Sequence, residues 1–173
     1  MNQKGATLIE LVLSIVIIGL IAYVATDAFV YSSRSILVGN AVREAGEEGR
    51  MAASRMVREI RNLRSDRCVS AATANSFTFV DGSNNTITFS WSGTAGDPLL
   101  RNSDTLIGKV SNLTFTYYDN AEPPAAVPTP TVCGTPCAPT CTATNIWSIN
   151  IDLTAQSGTE TMQFRSQVHP VNF

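Results

Sequence analysis

Residues 11–25 are apolar throughout except for Ser14 and Gly19, and this run limits what the rest of the chain can become. Such a run sits either in lipid or inside protein. As one helix, residues 6–31 would rise about 39 Å, enough to cross a hydrocarbon core of about 30 Å. The segment reads as a single membrane span behind a short basic leader, Met1-Asn2-Gln3-Lys4-Gly5. Lys4 favours a cytoplasmic N-terminal side, against the opposing pull of eight arginines that follow the span. A cleaved secretory signal would need small residues at a cut beyond the apolar run. Thr26-Asp27-Ala28 is the nearest candidate, and no helix breaker precedes it. The first proline is Pro98, so a continuous helix is expected.

Glu10 stands at the edge of this apolar run. A carboxylate at the centre of a span costs about 2.5–3.5 kcal/mol, and less near an interface. It either lies at headgroup level, favoured by the helix dipole, or has a cationic partner. The residues around it, Lys4-Gly5-Ala6-Thr7-Leu8-Ile9-Glu10-Leu11, resemble the cleavage and methylation motif of type IV prepilins and type II secretion pseudopilins. The resemblance implies that a membrane-embedded prepilin peptidase cuts between Gly5 and Ala6 on the cytoplasmic side and methylates the new amine of Ala6. It also implies that Glu10, the fifth residue of the mature chain, pairs with the N-terminal ammonium of another subunit during filament assembly. Two charges that are each costly in apolar surroundings become tolerable once brought together. Two residues depart from the family's usual pattern: Ala6 stands where Phe is usual, and Asp27 where major pilins commonly carry Pro.

Over residues 32–67 the pattern stays helical. Val38, Ala41, Ala45, Gly49, Ala52, Met56, Ile60 and Leu63 recur at spacings of three and four, a stripe that should dock on something. Arg43, Glu47, Arg50, Arg55, Glu59 and Arg64 are expected near water, with Arg43–Glu47 and Arg55–Glu59 at pairing distance along the helix. Gly39, Gly46 and Gly49 weaken the helix by up to about 1 kcal/mol each, so packing must hold it, with fraying expected around 39–49. Eight arginines here are interleaved with five acids and no aromatic side chain, which argues against nucleic acid.

After Cys68 the period changes to two: Phe77 and Phe79, then Ile87, Phe89 and Trp91, then Leu113, Phe115 and Tyr117, then Trp147, Ile149, Ile151 and Leu153. These are half-buried antiparallel strands, and a meander is the simplest topology. Asp81-Gly82-Ser83-Asn84-Asn85 is expected to turn a hairpin, and Gln156-Ser157-Gly158 to turn into Met162, Phe164 and Val168. Residues 120–144 hold six of the eight prolines and three of the four cysteines, which excludes a central strand and suggests a surface projection.

Cys133, Cys137 and Cys141, with Cys68, read either as four thiolates around zinc or as disulfides, and translocation of the head favours disulfides. Four cysteines allow three pairings. The single histidine, His169, lies near the C-terminal end, and no nucleophile elbow or phosphate loop is present. No catalytic residue, cofactor or metal is expected.

With 173 residues, 44% hydrophobic and 15% charged, the chain has room for one domain and an appendage. The expected organisation is a leader at 1–5, a membrane-spanning or filament-core helix at 6–31, an amphipathic helix at 32–67 and a β-rich head at 68–173. The fold class is α+β, a long N-terminal helix packed on an antiparallel sheet, as in pilins. Met56-Val57-Arg58-Glu59-Ile60-Arg61 and the run at 106–118 resemble PilW-type minor pilins and J-type minor pseudopilins, and Glu10 argues against the tip pseudopilin that lacks this acid. The expected function is a minor structural subunit that primes or caps a type IV pilus or type II secretion pseudopilus. Its expected partners are prepilin peptidase, other pilins or pseudopilins, and inner-membrane lipid before assembly. Two alternatives are an adhesin or DNA-uptake subunit using the 120–144 loop, and a membrane-anchored enzyme.

Overall fold

A computed structural model describes residues 7–122, 124–128, 130–138 and 146–171. One helix, α1 (Leu8–Arg61), is followed by a short 3-10 turn (Asp66–Cys68). Five strands then form one antiparallel sheet in sequence order: β1 (Val69–Ala72), β2 (Ser76–Val80), β3 (Thr86–Ser90), β4 (Leu99–Arg101) and β5 (Asp104–Ile107). Four more, β6 (Val110–Tyr118), β7 (Ala126–Val127), β8 (Ser148–Ser157) and β9 (Glu160–Val168), form a second in the order β7-β6-β8-β9. The head is therefore two sheets and not one meander. The break falls at Gly108-Lys109, after which β6 pairs with β8 instead of β5. The chain divides into two compact units, Met1–Asn40 and Ala41–Phe173.

In the second unit α1 buries Ala45, Gly49, Ala52, Ala53, Met56 and Ile60. The buried stripe starts at Ala45, since Val38 is 47% exposed and Ala41 only half-buried. Helix is unbroken across 39–49, and the glycines show why it is held. Gly49 lies against the Phe164 ring, where a Cβ would come within 2.7 Å of Cδ2 and 2.9 Å of Cζ, and Gly46 lies against Met162 Sδ. Absent side chains thus let β9 approach the helix.

The helix ends at Arg61, six residues before the expected limit of 67. Asn62 and Leu63 N–H groups donate to Glu59 and Ile60 carbonyls three residues back, tightening the last turn. Leu63, fully buried, then bridges to Asp81, and Arg64 N–H donates to Val80 O at 3.1 Å. Burial of Leu63 against the end of β2 outcompetes another helical turn.

The two sheets share one core. Phe77 on β2 has ring centroids at 5.1 Å from Phe79, 6.0 Å from Phe115 and 5.7 Å from Tyr117, the last two on β6. Each buried aromatic contributes on the order of 2 kcal/mol by transfer from water. Tyr117 Oη donates to Thr73 O at 2.8 Å, and Phe115 N–H to Ala74 O at 2.7 Å, so the turn after β1 is tied to the second sheet.

The expected surface loop at 120–144 is mostly exposed over its described part but is hydrogen-bonded to both sheets. Residues 126–127 add to β6 as an edge strand, with Asp119 Oδ1 accepting from Ala121 and Ala125 N–H groups. Residues 130–138 lie along the start of β1, where Cys133 N–H donates to Val69 O at 3.1 Å and Cys137 N–H to Arg67 O at 2.8 Å. Pro130 and Cys133 are buried, and the Cys133 N–H pairs the Val69 carbonyl that the edge of β1 would otherwise leave without a backbone donor. Residues 123, 129 and 139–144 of the loop lie outside the described residues.

Candidate functional site

The first unit is apolar helix. Its large hydrophobic side chains between Leu8 and Val38 are exposed around the whole circumference, from 44% at Val30 to 82% at Leu8. A helix apolar all round is built for lipid or for the inside of an assembly. Its length and composition suffice to cross a membrane. Three of the hydroxyls within it are satisfied by the helix itself: Ser14 Oγ donates to Glu10 O at 2.7 Å, Thr26 Oγ1 to Ala22 O at 2.8 Å and Ser33 Oγ to Phe29 O at 2.9 Å. Hydroxyls bonded four residues back need nothing from their surroundings.

Glu10 is different. It sits in the first turn of α1, its N–H donating to Thr7 O at 3.0 Å, and its carboxylate is exposed with no partner among the described residues. The helix N-terminus supplies a partial positive charge but not a full counter-ion. Gly5 and Ala6, the expected cleavage and methylation residues, lie outside the described residues, as does Cys141.

The remaining site residues belong to the second unit. Cys68 and Cys137 form a disulfide spanning 69 positions in sequence, and Cys133 is also disulfide-bonded. Among the described residues no cluster of three His, Cys, Asp or Glu side chains is placed to hold a metal ion. His169 Nδ1 lies 3.2 Å from Trp147 O, its ring edge-on to that indole.

Two arrangements go further than the sequence reading. The expected Arg55–Glu59 pair forms at 2.9 Å, but Glu59, expected near water, is only 13% exposed at its side chain and is also held by Arg101 on β4 at 2.8 Å. The signal available for it was Arg101, one of three basic residues in an otherwise acidic head. Asp81, buried at the β2–β3 turn, accepts from Ser83 and Asn85 N–H groups at 2.9 and 2.8 Å and from Asn85 Nδ2 at 3.2 Å. Burial works to raise its pKa, but the bonds from Asn85 and Ser83 outweigh it and hold the carboxyl below its ordinary value. Burial likewise pushes the Tyr117 hydroxyl up, keeping it a donor.

A long exposed apolar helix, with one carboxylate in its first turn, followed by a helix-on-sheet head gives an α+β, pilin-like architecture whose N-terminal helix fits a membrane anchor. Residues 1–25 match the family model for the prokaryotic N-terminal methylation motif, the prepilin-type cleavage and methylation signal. The match marks a precursor like those of type IV pilins and pseudopilins, and implies processing by a prepilin peptidase and pilin assembly in general. No curated protein and no solved structure matches the chain.

Proposed function

We propose that this chain is a minor pilin or pseudopilin, a structural and non-catalytic subunit that primes or caps assembly of a type IV pilus or type II secretion pseudopilus. The observation that carries the reading is the coincidence of the motif at residues 1–25 with an exposed apolar helix whose first-turn carboxylate has no partner among the described residues. The precursor waits in the inner membrane as a single-span protein with its head in the periplasm. Cleavage after Gly5 creates the ammonium of Ala6, and the helix then moves from lipid into a bundle of like helices. Glu10 is neutralised there by the N-terminus of an adjacent subunit. The minor role is supported by the likeness of 56–61 and 106–118 to minor subunits.

The N-terminal mass of mature protein from cells tests the processing step. It should show loss of residues 1–5 and one added methyl group, and Gly5→Ala should keep the leader. An unprocessed N-terminus in assembled material would reject the reading. The minor role is tested by stoichiometry in sheared filaments, where this subunit should be scarce and its deletion should reduce filament number. Abundance equal to the principal subunit would exclude priming or capping.

A further inference from the structure

The two sheets present four outer edges, and three are managed. Residues 130–138 cover β1, β5 is four residues long with an irregular register, and β7 has two residues. The fourth, β9, is nine residues long, pairs with β8 without a bulge, and contains no proline. Among the described residues its backbone makes no hydrogen bond except to β8. Long regular edges of this kind are templates for another strand, and proteins usually blunt them.

A groove of about 480 Å³ runs beside this edge, between β9 and α1. Its lining includes the half-buried Val57 and Phe164 together with Arg50, Arg58, Arg61 and Arg165, and no acidic residue. Arg165 is paired with Asp152 at 2.6 Å, whereas the side chains of Arg50, Arg58 and Arg61 have no partner among the described residues. Strand and helix run in the same sense here: Met162 meets Gly46, Phe164 meets Gly49, and Val171 N–H donates to Arg61 O at 3.2 Å.

We infer that this groove is a docking site for an acidic, extended segment of another polypeptide, which adds as a strand to β9 and sets its carboxylates against Arg50 and Arg58. Only a polypeptide uses all three features: backbone pairing to the edge, side chains against Val57 and Phe164, and carboxylates that accept bidentate bonds from guanidinium forks. The spacing agrees. Arg50 and Arg58 are eight helical residues apart, about 12 Å along the axis, and strand residues i and i+4 on one face are about 13–14 Å apart. The inference goes beyond filament assembly and stands whether or not the apolar helix assembles.

The test uses the full chain in detergent micelles. The probe is a fluorescent ten-residue peptide of alternating Thr and Val with Glu at two positions four apart, and its twin carries Gln at those positions. The acidic peptide should bind, and the Gln twin should bind about tenfold more weakly. The double variant Arg50→Gln/Arg58→Gln should lose binding similarly, with Arg50→Lys/Arg58→Lys restoring part of it. Hydrogen exchange should show new protection at alternate amides of Glu160–Val168. No binding by the acidic peptide, equal binding by its twin, or binding without protection on β9 would overturn the inference. So would a single-stranded oligodeoxynucleotide that binds through the same arginines more tightly than the peptide. Comparing the two peptides on the unaltered chain keeps the inference falsifiable if the double variant misfolds.

Discussion

At the scale of single residues, the contacts that matter most here are small. Gly49 exists where α1 and the Phe164 ring occupy nearly the same space. Gly49→Ala should destabilise the head by about 1–3 kcal/mol through overpacking, despite the gain in helix propensity of up to about 1 kcal/mol. Gly39→Ala, with nothing within 4 Å of its added methyl, should be neutral or stabilising. Urea midpoints of the two variants decide it, and Phe164→Leu should recover part of the Gly49→Ala loss. The sequence showed Gly49 only as a small residue in an apolar stripe, because its partner lies 115 positions later. Asp81 was more legible: an acid opening Asp-Gly-Ser-Asn-Asn suggests a turn, and Asn84 takes φ 66° as that turn requires. Its carboxyl, held low by Asn85 and Ser83, stabilises the ionised folded state. That contribution is complete above the unfolded value of about 3.9 and is lost as pH falls through the lower folded value. Asp81→Asn should therefore flatten the acid limb of the stability–pH curve, and parallel limbs would refute this.

At the scale of elements, legibility followed strand length. β2, β3, β6, β8 and β9 have five to ten residues, enough to display alternation, and they carry most of the apolar sets of the sequence; Trp147 is a miss, since it precedes β8 and is 44% exposed. β1, β4, β5 and β7 have two to four, too short for a period to show against chance. The Pro/Cys-rich loop misled for a related reason: composition excluded a central strand but said nothing of its hydrogen bonds to Val69 and Arg67. Cys137→Ser should release residues 130–138 from β1. The chain-entropy estimate for a closed loop of this length is about 4 kcal/mol. Exchange at the Cys133 and residue-137 amides should quicken while the β8–β9 pair keeps its protection. An unchanged pattern would mean that the loop is held without the Cys68–Cys137 bridge.

At the scale of the molecule, the apolar helix was the most legible part and the head's division into two sheets the least. Apolar periodicity gives a helix directly, whereas which strand neighbours which depends on contacts far apart in sequence. The hydroxyls of Ser14, Thr26 and Ser33 are already bonded, so the helix can exchange lipid for protein without finding them new partners. Glu10 lacks that provision. Glu10→Ala should lower the amount of subunit recovered in filaments while leaving the urea midpoint of the head unchanged, and full recovery would exclude charge pairing as the step that sets register. The Cys68–Cys137 bridge has a mechanical consequence as well. If the subunit is stretched between α1 and β9, tension crosses from Cys68 to Cys137 through sulfur and bypasses the intervening polypeptide. About 230 Å of slack is thereby withheld from extension, and the first five-stranded sheet can come apart under load without lengthening the tether.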